Sequence, residues 1–513
     1  MSPKTRFWLP SLADVLFTCV FLVLSFKGGN SLLNDADTGY HIRTGEYIIH
    51  NLAVPSHDIF SFITPPLPWF AHEWLSEVVM AWLHQIGGLT TVVIFFSLAI
   101  AFAYFLLFKS AQSLNCNLLL ALVVVSLAAL SSALHWLARP HIFSLILTVV
   151  WYRILDDYQY KDRHRLFYLP ALMLLWVNLH GGFILGLLLL GIYLGGNAVG
   201  SLFSKDGERK SAREKCRKLA VAAAACLLVS LLNPRGYSIL LFPFRMVSNK
   251  FLMDNVIEFL PPSFHDPLPY KYLLLLAVGV LSLARSIGLI ELMLVLLFTY
   301  MSLYSARYIP LFAVVMTPIL LRGSQTILGG LDHRVVKFFQ KRSDNLALVD
   351  GTAKGHLWPI VSVAVVCALA LTGKIEFKFD ATKNPVAAVE FLKREPLSGR
   401  MFNDDEFGDY LIYAAWPQYK VFFDGRSDMY GDAWGDQYVT VARLRPNWES
   451  VVEKNHFSWI FFGTGTPLTA VLLEKKNWRL IYADKIAEIF VKDIPENSAL
   501  IDKYPGVRPP PDL

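Results

Sequence analysis

Apolar residues run in long uninterrupted stretches along most of this chain, and polar residues gather in the gaps. A helix that crosses a bilayer needs roughly 20 mostly apolar residues. Stretches of this kind lie at about 11–29, 89–108, 117–135, 140–155, 166–179, 183–200, 218–233, 270–285, 288–304, 307–321 and 357–373, which predicts about eleven spans. Residues 31–88 form a long connection after the first of them. Within it, 38–50 and 72–86 space apolar residues at helical intervals with charges between, the pattern of short helices lying at an interface. Trp69 and Trp74 flank the second as interfacial anchors, and Pro55, Pro65, Pro66 and Pro68 break the chain between the two.

The pattern changes after residue 373. Short β-rich runs ("VFFDG", "WIFFG", "RLIYAD", "AEIFVKD") alternate with helical ones ("PVAAVEFLKR", "FGDYLIYAAW"), and the tail "YPGVRPPPDL" is expected to be disordered. The expected fold is a polytopic α-helical membrane protein, residues 1–373, followed by an extracytoplasmic α/β domain, residues 374–513, long enough to bury its own core.

Composition agrees with this division. Hydrophobic residues make up 54% of the chain and charged ones 17%, and the mean hydropathy of +0.43 lies outside the soluble globular range. The +6 net charge is concentrated. Lys4 and Arg6, then Lys161, Arg163 and Arg165, then "KDGERKSAREKCRK" (205–218), then Arg334, Lys337, Lys341 and Arg342 all fall on one face if there are eleven spans, and basic loops mark the cytoplasmic side. The N-terminus is then cytoplasmic and its first span an uncleaved anchor. Residues 31–88, the 234–269 loop and everything after 374 face outward. The five cysteines lie in or beside spans or in a basic loop, so no disulfide framework or thiolate metal site is expected.

Candidate chemistry begins at "LLNDADTGYHIRTGEYIIHN" (32–51). Asp35 and Asp37 stand just outside the first span. A carboxylate there can accept a proton from an attacking hydroxyl or amine, or hold a divalent cation such as Mg2+ or Mn2+; the plainer reading is a pair of solvated acids. His72 and Glu73 in "WFAHEWLSE" share the loop, where a glutamate also suits the first turn of a helix.

Together, an acid opening the first external loop, two interfacial helices in that loop, about a dozen short spans and an exported C-terminal domain resemble the GT-C membrane glycosyltransferases, which use polyprenyl phosphate sugar donors and include the protein mannosyltransferases and oligosaccharyltransferases. The run from Asp37 through Tyr40 to Arg43 is similar to the D-x-x-F/Y-x-x-R stretch of oligosaccharyltransferase catalytic subunits. That likeness implies that Asp37 contacts metal and acceptor, with Asp35 the second candidate. "DTGYHIRTGEYI", "DIFSF" and "WFAHEWLSE" together resemble a bacterial branch of the superfamily.

A lipid phosphate needs partners that stay charged and donate several hydrogen bonds, as guanidinium does. Arg139 and His141 in "LARPHIF", His180 in "NLHGGF", Arg235 in "LNPRGY" and Arg307 in "YSARYIP" stand at outward ends of spans, with Arg307 and Arg139 foremost. Snorkelling to lipid headgroups is the competing role for the arginines, and a satisfied structural histidine for His180. By position alone, Glu258 in the 234–269 loop matches a loop glutamate that closes over the acceptor in oligosaccharyltransferases. Residues 403–434, with Asp424 and Arg426, distantly resemble their acceptor-binding WWDYG region, but "EFGDYL" replaces the tryptophan pair.

The resemblance implies inverting transfer from a polyprenyl-phosphate-linked sugar to a glycan, lipid or protein acceptor, with membrane lipids as surroundings. Nucleic-acid, Walker A, CxxC, G-x-S-x-G and HExxH signatures are missing from the sequence. A lipid-linked sugar transporter is the alternative of another class, and a noncatalytic scaffold a third. Charges gather at span ends and no inverted repeat is found, which favours the enzyme over the transporter.

Overall fold

The computed structural model describes residues 7–203, 205–265, 268–283, 287–353 and 355–510. Lys4 and Arg6 lie outside them. The chain divides into two compact units, one of residues 1–29, 92–243 and 256–376, the other of residues 30–91, 244–255 and 377–513. The long first loop, grouped by sequence with the membrane segment, therefore clusters with the C-terminal region.

The first unit is helical. Among the described residues each stretch predicted to span falls mainly on a helix, and four helices are long and apolar enough on their own: Trp74–Gln112, Leu118–His135, Gly181–Phe203 and Ala306–Gly329. Others, such as Leu12–Phe26, Leu289–Tyr304 and Leu357–Leu371, are apolar but shorter. Leu12–Phe26 starts at a capping box in which Ser11 Oγ accepts the Asp14 N–H (3.1 Å) and Asp14 Oδ2 accepts the Ser11 N–H (3.0 Å). Polar residues inside this unit come as paired sets. Arg322 donates to Glu291 (2.9 Å) and to Asp156, and Tyr160 donates to the same Glu291 oxygen, which joins His141–Lys161, Leu289–Tyr304 and Ile309–Gly329 near one end.

The second unit holds a four-stranded sheet of order β1-β2-β4-β3, with β1 Arg400–Asn403, β2 Phe457–Gly463, β3 Trp478–Ala483 and β4 Ala487–Lys492. β1 runs parallel to β2; the β2–β4 and β3–β4 pairs are antiparallel. Three of the four predicted β runs fall on strands, and "VFFDG" does not. There the amides of Phe422 and Phe423 go to the buried side chain of Asn403 (2.8 and 3.4 Å), and Val421 pairs singly with Ser61 of the first loop. The core is aromatic, with Phe402, Phe422, Phe457, Phe462 and Tyr438 packed ring on ring and Ile63 of the first loop among them. The two predicted interfacial helices are Asp37–Asn51 and the start of Trp74–Gln112, which leaves helical geometry at Gly87 and Gly88 before it enters the span. The tail expected to be disordered is held at its beginning, where the Tyr504 ring lies 5.3 Å from that of Phe391.

Candidate functional site

Three helices of the second unit build the acidic site. Helix Asp37–Asn51 has alanine at its N-cap and no side-chain cap there; Asp35 Oδ1 instead accepts the Asp37 N–H at 2.9 Å. Asp37 is thereby placed in the first turn, 8% exposed, with Asp35 half-buried beside it. Helix Asp405–Ala415, capped by the Asp404 carboxylate on the Glu406 N–H (3.2 Å), lies against it. Arg43 clamps the two by donating from Nε (2.9 Å) and Nη2 to the Tyr413 carbonyl. Gly39 allows the contact, since a Cβ there would lie 2.6 Å from Tyr413 Cβ.

This packing brings Asp409, on the apolar face of its helix, against Asp37. The two carboxyls hydrogen-bond each other, and both Asp409 oxygens lie within reach of the Gly425 N–H (3.2 and 3.1 Å). Burial first, then the charges of Asp37, Asp424 and Asp35, hold the Asp409 carboxyl well above the ordinary range. A hydrogen bond between two carboxyls needs one proton between them, so the pair carries a single negative charge. A side chain at 425 has no room, because a Cβ would meet Asp37 Oδ1 at 2.4 Å and Asp409 Oδ2 at 2.8 Å. Burial and the adjacent Asp405 and Glu406 also raise Asp404, and burial, Asp405 and Asp35 raise Glu406.

A second chain of acids and imidazoles runs beside the pair. His41 Nδ1 lies 3.2 Å from Glu77 Oε1 and its Nε2 3.6 Å from Glu73, and His72 lies 3.5 Å from Glu73. Burial and the charge of Glu73 push Glu77, in the part of its helix before the Gly87–Gly88 kink, well up. Burial likewise raises Asp428, against the opposing charges of His72 and Arg426.

Asp424 and Arg426 meet as a buried pair. The Arg426 guanidinium donates to Asp424 Oδ1 (2.8 Å) and Oδ2 (2.6 Å) and to Asp58 Oδ1 (2.8 Å), and it lies over the rings of Phe60 and Trp69. Tyr430 donates to Asp424 at 2.7 Å. With side-chain exposures of 0–1%, neither residue of the pair is placed to touch an acceptor; the pair fastens the first loop into the unit's core.

The first unit gathers the cations. Arg307 Nη1 lies 2.7 Å from Glu258 Oε1 and Arg139 Nη1 3.6 Å from Oε2, so one partly exposed carboxylate holds both guanidiniums. Burial alone would raise Glu258; Arg307 and then Arg139 outweigh it and hold the carboxyl at about 2. His141 Nε2 sits 2.7 Å from the His135 carbonyl. His180 and Arg235 are committed elsewhere. His180 Nδ1 accepts the Gly182 N–H (2.9 Å) and the Ser144 hydroxyl (2.7 Å), while Ser144 accepts from Trp176 Nε1; this network assigns the remaining proton to His180 Nε2. Arg235 Nε donates to Ser238 Oγ at 3.2 Å.

No known family profile matches the chain. No curated protein matches it either. It is similar to two solved structures of ArnT from Cupriavidus metallidurans, each at 12% identity. The structure bound to undecaprenyl phosphate is matched over 93% of this chain and 97% of that one, with a TM-score of 0.45. The apo structure is matched over 96% and 99%, with a TM-score of 0.47.

Sequence reasoning placed Asp35 and Asp37 but missed Asp409, His41 and Glu77. One signal was present for Asp409: an aspartate amid Phe407, Leu411 and Ile412 on the buried face of an amphipathic helix has to find a partner. Among the described residues no three His, Cys, Asp or Glu side chains converge as a bound cation requires.

Proposed function

We propose that this chain is an integral membrane glycosyltransferase that takes a sugar from a polyprenyl phosphate donor, of the class to which undecaprenyl phosphate belongs, and delivers it on the extracytoplasmic face. The observation that carries the reading is the hydrogen-bonded Asp37–Asp409 carboxyl pair, which shares one proton and one negative charge just after the first predicted span in the sequence. In the proposed step an acceptor hydroxyl or amine attacks the anomeric carbon and its proton passes to Asp37. The bond from that carbon to the phosphate oxygen breaks, and the polyprenyl phosphate leaves with the electron pair. Displacement from the opposite side inverts the anomeric centre.

Arg307 and Arg139 take the leaving phosphate in this reading. Both now share the Glu258 carboxylate, so the phosphate replaces one anion with another of higher charge at the same guanidiniums. His72, Glu73 and Asp428 form the acceptor side. No step is routed through a metal; a divalent cation on Asp35 and Asp37 is the competing role, and chelation separates the two, since a proton role predicts unchanged transfer in EDTA.

The test uses purified protein in detergent with a radiolabelled polyprenyl-phosphate sugar. An enzyme consumes donor and forms labelled product without separate compartments, whereas a transporter or scaffold leaves it intact. Arg307→Gln and Arg139→Gln are expected to weaken donor binding, each by about tenfold for a lost charged hydrogen bond. Donor binding unchanged in both variants would remove the phosphate assignment.

A further inference from the structure

Within the first unit, a cavity of about 530 Å³ opens where helix His141–Lys161 turns into Leu169–Leu179. Its walls mix apolar and charged side chains. Leu106, Val150, Ile154 and Leu172 line it together with Arg153, Arg165 and Asp157. Tyr168, half exposed, stands at the rim, where tyrosines mark the level of lipid headgroups.

Arg153 is the informative residue. Its Nε is shielded from solvent and has no hydrogen-bond partner. The neighbouring Asp157, which also lines the cavity, is ion-paired with Lys161 (2.9 Å) and Arg163 (3.4 Å). Asp156 is likewise held by Arg322. A buried guanidinium N–H without an acceptor is costly, and natural sites supply one. From 153 to 165, Arg153, Lys161, Arg163 and Arg165 stand against Asp156, Asp157 and Asp162, which leaves the stretch net positive. An anion fits; a head that also carries an ammonium is repelled.

We infer that this cavity is a binding site for one anionic phospholipid of the leaflet on the basic side, its phosphate on Arg153 and Arg165 and the start of an acyl chain along Leu106, Val150 and Leu172. Guanidinium meets a phosphate through two parallel hydrogen bonds, and the apolar lining accounts for a hydrocarbon tail that free phosphate lacks. The site is independent of the sugar-transfer reading: it uses none of those residues and lies in the turn of basic residues that the charge pattern assigns to the opposite face.

Native mass spectrometry of the detergent-purified full chain tests it, with dioleoyl phosphatidylglycerol and dioleoyl phosphatidylcholine titrated in parallel and inorganic phosphate as competitor. The expected result is one tightly retained phosphatidylglycerol, with retention lowered about tenfold in the double variant Arg153→Gln, Arg165→Gln. Leu172→Trp fills the space of the tail without altering charge and is expected to lower retention as well, which keeps the test open if the double variant fails to fold. Equal retention of the two lipids, no loss in either variant, or displacement by millimolar inorganic phosphate would each overturn the assignment.

Discussion

Asp409 titrates in the opposite sense from a salt-bridged aspartate. Burial, then Asp37, Asp424 and Asp35, raise its carboxyl, while an unfolded aspartate ionises near about 3.9. Below that value neither state is charged and nothing is lost. As pH rises past it the unfolded chain gains by ionising and the folded one does not, so stability falls toward the raised folded value. Thermal unfolding followed from about pH 5 to about pH 8 is expected to show the midpoint dropping in the wild type, with a shallower slope in Asp409→Asn. A residual slope remains because burial also raises Glu77 and Asp428. Asp58 works the other way. Burial opposes its charge, but Arg426, Ser61 and the Phe60 amide outweigh burial and lower it, so its contribution is present at neutral pH and lost on acidification. Arg426 itself is 1% exposed between two carboxylates. Arg426→Met leaves both buried without their cation and is expected to cost about 3–5 kcal/mol, read as a lowered unfolding midpoint; a change within experimental error would mean that the carboxylates find other partners.

At the scale of elements, the site depends on how closely three helices approach. Helix Asp37–Asn51 crosses the start of Trp74–Gln112 at Gly45, where a Cβ would sit 1.9 Å from the Glu77 carbonyl oxygen. Gly45→Ala must therefore push the helices apart, at about 1–3 kcal/mol, and draw His41 away from Glu77. Calorimetry is expected to show the destabilisation, and NMR a change in the His41 imidazole signals as the ring leaves that carboxylate. Both interfacial helices could be read from apolar spacing because they are local features of the pattern. The strand expected at "VFFDG" could not be excluded that way. Its residues have strand-like character, yet the buried Asn403 side chain takes the backbone hydrogen bonds a neighbouring strand would have taken. Such a choice is set by a residue distant in sequence, and periodicity carries no trace of it.

For the whole molecule, hydropathy made the helical class and the late sheet legible, because both follow from runs of residue type. It did not foresee that residues 30–91 cluster with the C-terminal segment, since that grouping rests on Asp58 meeting Arg426 and on Ile63 joining an aromatic core built from residues beyond 400. The site divides in the same way. Asp35 and Asp37 stood out in the sequence as polar residues beside an apolar run, and Arg307 and Arg139 as cations at span ends. Asp409 was recognisable only as a buried acid lacking a partner, and Glu258 as an acid in a loop. The central claim is that Asp37 takes the acceptor proton during sugar transfer, and the rate of product formation from a labelled polyprenyl-phosphate sugar by Asp37→Asn tests it most directly. The account predicts a loss of about 100-fold or more in a variant that still folds; transfer by that variant at the wild-type rate would contradict it.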